Sequence, residues 1–336
     1  MKALVIEGAR QAAIRELPYP EPGKNEVTIE VKRVGICGTD IHIFEGDYLS
    51  AFPIVPGHEF SGVIHSVGEG VTDLRAGDRV SADPSLFCGA CQFCLTNRGN
   101  HCERWGALGV TKNGSMAEYI AVPAANVVKL PDSMGFEEGA FIEPVACIVH
   151  AMNRLQLKVG SRVILFGAGA MGQQLIQALS VSGASEVVAV DISPDKLAMA
   201  LENGATKAVL SDRLTEEIKA DSQYEFGFDT VIDVTGIPAV IEIAMQYIGP
   251  VGTYLQFGVT PDNASIRINP FDLYHKDWTL LGSMAINHTF IPAFHWMKER
   301  RIQVKPLISK TISLEEAIRF FNEPKSPDLL KVQIEL

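Results

Sequence analysis

The sequence predicts an α/β protein in which a doubly wound parallel sheet is joined to an irregular, β-rich domain. Three observations carry that expectation. A chain of 336 residues exceeds the length at which one hydrophobic core usually keeps growing, so two domains are expected. Up to about residue 150 the sequence is rich in Gly, Pro and short β-branched runs. Beyond it, buried apolar runs alternate with helical stretches, the pattern of parallel strands joined by crossover helices.

Taken in order, residues 27–32 (Val-Thr-Ile-Glu-Val-Lys) alternate as a half-buried strand does, and 60–67 do the same. Gly77-Asp78 marks a turn between such runs. In the second half, 162–166 form an apolar run followed by a glycine loop and a helix over 173–182. A buried strand over 187–190 leads to a helix over 193–202 with Pro194 near its start, where proline is tolerated. Further strands are expected at 230–234 and 252–257. Near the end, Ser313 opens a helix over 315–321, and 330–336 alternate as a strand that returns to the first domain. The expected division is 1–150 with 285–336 for the β-rich domain and 151–284 for the parallel sheet.

Composition excludes several classes. A net charge of -11 argues against a general nucleic-acid binder, which must neutralise phosphates with Lys and Arg. No run of eighteen apolar residues exists to span a membrane. The start reaches Glu7 and Arg10 too soon for the apolar core of an export signal, so a cytoplasmic protein is expected. Four of the six cysteines fall within fifteen positions, which in a reducing compartment points to bound metal rather than disulfides.

Gly167-Ala168-Gly169-Ala170-Met171-Gly172 fits the G-x-G-x-x-G pattern between a strand and a helix, and Asp191 ends the next strand nineteen positions on. Glycines there let the backbone approach a pyrophosphate at the helix N-terminus. Asp191 can accept hydrogen bonds from both adenosine ribose hydroxyls and would repel a 2′-phosphate, so NAD is expected over NADP. The bland alternative is a tight turn with no ligand.

Cys88, Cys91 and Cys94 recur at intervals of three and Cys102 follows eight positions later. Four thiolates close a tetrahedral shell with no open position, which describes a structural zinc. His101 is then a loop histidine. A second set of metal-capable residues comprises Cys37, the pair His58-Glu59 after Gly57, and Glu143 before Pro144. Singly, each has an ordinary reading as a small core residue or a hydrogen-bonded pair.

Together, Cys-Gly-Thr-Asp-Ile-His at 37–42, Gly-His-Glu at 57–59, the four-cysteine lobe and the glycine fingerprint make the chain resemble the zinc-containing medium-chain dehydrogenase/reductase superfamily along its whole length. Glu143-Pro144 and the Cys-Gly-Thr-Asp form point to the branch of sorbitol-type polyol and threonine dehydrogenases. The resemblance implies a GroES-like catalytic domain and a six-stranded Rossmann domain, with the reaction in the cleft between them. It implies that Cys37 and His58 bind a catalytic zinc, with either Glu59 or Glu143 as third protein ligand and one position open for substrate. It further implies that a zinc-bound alkoxide of a secondary alcohol, a small polyol, passes hydride to NAD. Thr39 would begin a proton relay that His42 completes, and Asp40 would orient its neighbours.

Cys147 and His150 are expected to be packing residues, since the zinc shell is full without them. Phe44, Tyr48 and Phe52, and 284–288 from the far side, are candidate pocket walls. The rival substrate is L-threonine, and the rival class is a non-catalytic NAD- and zinc-binding structural protein. The resemblance also implies a homo-oligomer, a tetramer before a dimer, with Leu280-Leu281-Gly282-Ser283-Met284 at a sheet-pairing interface.

Overall fold

In the computed structural model, which describes residues 1–324 and 326–336, the alternating strand Glu26–Ile36 is the spine of a seven-stranded sheet. Its Val27, Ile29, Val31 and Val34 are buried in the main core of that unit. On one side it pairs antiparallel with Glu59–Val67, followed by Arg79–Ala82 and Val127–Lys129. On the other it takes Tyr119–Pro123 along its first half and the C-terminal strand Lys331–Glu335 along its last, which in turn pairs parallel with Ile308–Ile312. The alternation of the last residues thus reports a strand inserted beside the spine. Register sets Glu59 opposite Gly35 and Val332 opposite Ile36, so two distant segments converge on the end of the spine, just before Cys37.

The second sheet is six-stranded and wholly parallel. Its order is Lys207–Leu210, Glu186–Asp191, Arg162–Phe166, Phe228–Asp233, Ile248–Gln256 and Thr279–Gly282. The strand order reverses between Arg162–Phe166 and Phe228–Asp233, the switch point at which such sheets bind ligands. Ile164, Val188, Val231 and Leu255 are fully buried, as strands covered on both faces require. Helix Pro194–Glu202 starts as its sequence asks, with Ser193 accepting from the Lys196 N–H and Pro194 in the first turn.

One unit comprises Met1–Ala146, Ile286–Lys298 and Val304–Leu336; the other comprises Cys147–Ala285 and Glu299–Gln303. The division therefore falls inside helix Ile142–Leu155, because a continuous helix carries no turn signal to mark it. Among the elements not foreseen, one matters for the site. Cys37 begins helix Gly38–Glu45, which carries Thr39, Asp40 and His42. The Asp40 carboxylate caps the first turn and Gly46, at φ 86°, ends the last.

Candidate active site and metal centres

Donor atoms of Cys37, His58 and Glu59 lie within 4.8 Å of one another. Cys37 stands at the N-cap of Gly38–Glu45. Fully buried Asp40 knits the site together. One oxygen accepts the Cys37 N–H at 2.8 Å, and the other accepts the Gly57 N–H at 3.0 Å. That second oxygen is also 3.5 Å from Nδ1 of His58, which has no aligned hydrogen bond. A carboxylate behind one ring nitrogen is how metal-binding imidazoles are oriented. Burial opposes charge on His58, yet Asp40 and Cys37 outweigh it and hold its pKa well above the ordinary value. A sulfur, an imidazole nitrogen and a carboxylate oxygen brought this close are the donor types zinc takes, so the residues fit a zinc ion.

A residue that motif reading overlooked completes the cluster. Lys331, 4 % exposed, places Nζ 2.7 and 2.8 Å from the two carboxylate oxygens of Glu59 and 3.3 Å from the Ile36 carbonyl. Its signal was faint: one lysine on a C-terminal alternating strand at a position the register buries. Glu143, in the first turn of Ile142–Leu155, is pushed up to about 7 by burial, with Glu59 and Asp83 raising it and His58 and Lys331 lowering it. It shares the electrostatic environment of the cluster but lies outside the tight donor set. Thr39 and His42 are three apart on the same helix, one turn along the same side. Nδ1 of His42 lies 3.1 Å from the Asp47 carboxylate.

The four-cysteine lobe meets a stricter test. Cys88–Cys94, Cys91–Cys94 and Cys91–Cys102 sulfurs are 3.9, 3.6 and 4.0 Å apart. A tetrahedron with zinc–sulfur bonds of about 2.3 Å has edges of about 3.8 Å. Backbone N–H groups of Ala90 and Cys91 point at the Cys88 sulfur, and those of Cys88 and Arg104 at the Cys102 sulfur. These N–H groups bring the Cys88 thiol down to about 6, while burial and the neighbouring sulfurs push Cys94 up to about 12. Four thiols this close cannot all ionise without a cation, and a divalent ion resolves the conflict. Asn287 braces the lobe, accepting from the Gly99 N–H at 2.9 Å and donating to the Asn97 carbonyl at 2.8 Å, and His288 packs edge-on to Phe87. Phe44, a candidate pocket wall, is a core residue stacked on Phe321. Phe52 is exposed, and Tyr48 packs on the core.

In the other unit, strand Arg162–Phe166 enters the glycine loop, and helix Ala170–Val181 starts at once, with Gly169 as N-cap. Gly167 has φ 100°, and a Cβ on Gly172 would lie 2.0 Å from the Gly167 carbonyl oxygen, so neither tolerates a side chain. Nothing lies within 4 Å of where a Gly169 Cβ would be, which leaves room for a pyrophosphate at this helix N-terminus beside Ala170 and Met171. Asp191 accepts from the Ala168 N–H at 2.7 Å and the Ser193 N–H at 2.9 Å, fixing its carboxylate at the end of the second strand. A carboxylate has about four acceptor positions, so capacity for ribose hydroxyls remains. These residues fit NAD.

Comparison with known proteins agrees with this chemistry. Residues 23–132 match the alcohol dehydrogenase GroES-like domain and residues 170–299 match the zinc-binding dehydrogenase family. The chain is 32% identical to D-arabinitol dehydrogenase 1 of Uromyces fabae, over 99% of this chain and 97% of that protein. It is 32% identical to sorbitol dehydrogenase of Gallus gallus, over 99% of this chain and 95% of that protein. Among solved structures, a putative zinc-binding dehydrogenase of Sinorhizobium meliloti bound to NADP superposes with a TM-score of 0.96 at 30% identity, covering 100% of this chain and 99% of that one. With these matches along nearly its whole length, the chain belongs to the zinc-containing medium-chain dehydrogenase/reductase superfamily, in its polyol dehydrogenase branch.

Proposed function

We propose that the protein oxidises a secondary hydroxyl of a small polyol to the ketone, reversibly, with zinc and NAD. The carrying observation is the convergence of Cys37, His58 and Glu59, with Glu143 and Lys331 around them. Zinc held there supplies a Lewis acid that makes the substrate hydroxyl more acidic. Cys37 and His58 hold the ion, Asp40 aligns both ligands, and Glu59 or Glu143 completes the set. The hydroxyl of Thr39 would take the substrate proton as it gives up its own, and His42, oriented by Asp47, would carry the relayed proton towards solvent. Cys88, Cys91, Cys94 and Cys102 hold the structural zinc.

The test is NADH formation by the zinc-loaded protein across pentitols, hexitols, L-threonine and simple secondary alcohols. Polyols should be turned over at kcat/KM values at least about tenfold above the other substrates. A preference for L-threonine would move the substrate assignment, and turnover of nothing would overturn it.

Cofactor choice rests on Asp191. Asp191→Ser should raise the ratio of kcat/KM with NADP to that with NAD by roughly a hundredfold, about 2.7 kcal/mol, because a like charge against the 2′-phosphate is removed. An unchanged ratio would show that another residue selects the cofactor. The S. meliloti protein, bound to NADP, shows that this fold can accommodate the phosphate.

The proposal extends to a homotetramer in preference to a dimer. Strand Thr279–Gly282 forms one edge of its sheet, with Leu280 and the neighbouring Met284 exposed. A cytoplasmic location fits six cysteines that form no disulfide among the described residues. No helix among the described residues is long and apolar enough to cross a membrane.

A further inference from the structure

The strand that follows the switch point ends in Asp233, and the sequence there, Ile232-Asp233-Val234-Thr235-Gly236, is apolar apart from this acid and one threonine. Asp233 is fully buried, and the described ion pairs do not include it. Its carboxylate is instead a sink for neutral donors. One oxygen accepts the Thr235 hydroxyl at 2.6 Å and the Thr235 N–H at 3.2 Å. The other accepts the Gly236 N–H at 2.8 Å and the side-chain amide of Gln256 at 2.9 Å. Its backbone carbonyl takes the N–H groups of Phe257 and Gly258, at 3.0 and 2.9 Å. Gln256 adds a bond to the Gly258 carbonyl at 2.7 Å and accepts from the Tyr254 hydroxyl.

These partners lie in two loops and in the end of the strand Ile248–Gln256, which carries Tyr254 and Gln256. One loop leaves Phe228–Asp233 and the other leaves Ile248–Gln256, both at the carboxyl ends of neighbouring parallel strands. The loops are pressed together so closely that a Cβ on Gly258 would lie 2.3 Å from the Gly236 nitrogen. Gly236 has φ 66°, and a Cβ on it would meet the Val259 carbonyl oxygen at 2.1 Å. At the tips of this clamped pair stand two apolar side chains in the open, Ile237 at 53% exposure and Val259 at 64%. An acid buried at this cost, holding two exposed apolar tips in fixed positions, needs a purpose beyond closing the sheet, since a pair of apolar residues would close it without burying a carboxylate.

A doubly wound sheet has two mononucleotide-binding halves, and the dinucleotide crosses the switch point between them. The Gly167 loop and Asp191 belong to the first half. Asp233 opens the second, and its loop meets the first directly: a Cβ on Gly167 would lie 2.9 Å from the Thr235 methyl, and the Val234 N–H donates to the Phe166 carbonyl at 2.9 Å. We infer that Asp233 is a positioning residue for the cofactor, fixing the two loops that receive the nicotinamide half while leaving the adenosine half to the glycine loop and Asp191. The inference rests on the dinucleotide reading of that glycine loop. Asparagine cannot substitute, because its NH2 group would face N–H and O–H donors where the carboxylate offers only acceptors.

The experiment compares NADH with ADP, which lacks the nicotinamide half, by titrating both into wild type and Asp233→Asn. NADH is followed by fluorescence and ADP by calorimetry. The Kd for NADH should rise at least tenfold in the variant, while the Kd for ADP stays within twofold. Equal weakening of both ligands would mean that Asp233 only supports the fold, and no change in either would mean that the loops hold without it; both results overturn the inference. Wild type binding neither ligand would remove the dinucleotide reading and this inference with it. Should Asp233→Asn fail to fold, Gln256→Met removes one arm of the clamp and leaves both strands' backbone bonds in place. It should raise the NADH Kd at least threefold with ADP again unmoved, and an unchanged NADH Kd there overturns the inference.

Discussion

Replacing Cys37 by serine is expected to lower polyol turnover about a thousandfold and to remove the catalytic zinc while leaving the structural one. The thiolate is a far better zinc ligand at neutral pH than a serine hydroxyl, which keeps its proton. A Lewis acid supplies several kcal/mol of transition-state stabilisation, and about 4 kcal/mol corresponds to three decades of rate. The fold should survive, because the helix cap at this point is made by the Asp40 carboxylate on the backbone N–H of residue 37, a bond the side chain does not enter. Metal analysis and kcat on the same sample check both parts. Zinc content and turnover equal to wild type would show that the catalytic ion is held elsewhere.

The legible part of this molecule is the part in which local sequence and local geometry coincide. The four-cysteine lobe needs only fifteen consecutive positions, so its spacing alone yields the sulfur tetrahedron. The glycine loop is similar: a strand, three glycines and a helix are adjacent in the chain, and the positive φ of Gly167 and the close approach at Gly172 explain the pattern. The parallel sheet was readable from continuous apolar runs, because strands buried on both faces cannot alternate. Less was readable where a long-range register decides. Lys331 lies 272 positions from Glu59, and nothing local marks it as a partner. Only the pairing of Val332 with Ile36 brings it there. Asp233 fell inside an expected strand over 230–234 and drew no notice, since one of its donors, Gln256, comes from the following strand. Helix Gly38–Glu45 was hidden for a different reason: eight residues with β-branched Thr39, Ile41 and Ile43 have weak propensity, and caps at both ends decide the outcome.

Lys331→Met should destabilise the unit that carries it by about 3–5 kcal/mol, the cost of leaving a buried carboxylate without its counter-charge. Both members of the pair are almost wholly withdrawn from water, Glu59 at 2% exposure and Lys331 at 4%, and both oxygens of Glu59 depend on the one ammonium. A double variant, Lys331→Met with Glu59→Gln, should recover most of the loss, because the uncompensated charge rather than the missing bond is the main penalty. Hydrogen exchange of the amides in the strand Glu59–Val67 reads this locally, where a single global unfolding free energy for two units would not be well defined. The same measurement with and without zinc also separates the two candidate third ligands. If Glu59 coordinates the ion, zinc replaces the lost counter-charge and shrinks the destabilisation to a fraction of its metal-free value. If Glu143 is the ligand, Glu59 keeps its need for Lys331 and the loss is nearly the same in both states. Exchange rates unaffected by Lys331→Met in the metal-free protein would show that water, rather than Lys331, balances Glu59, and the buried ion pair would lose its structural role.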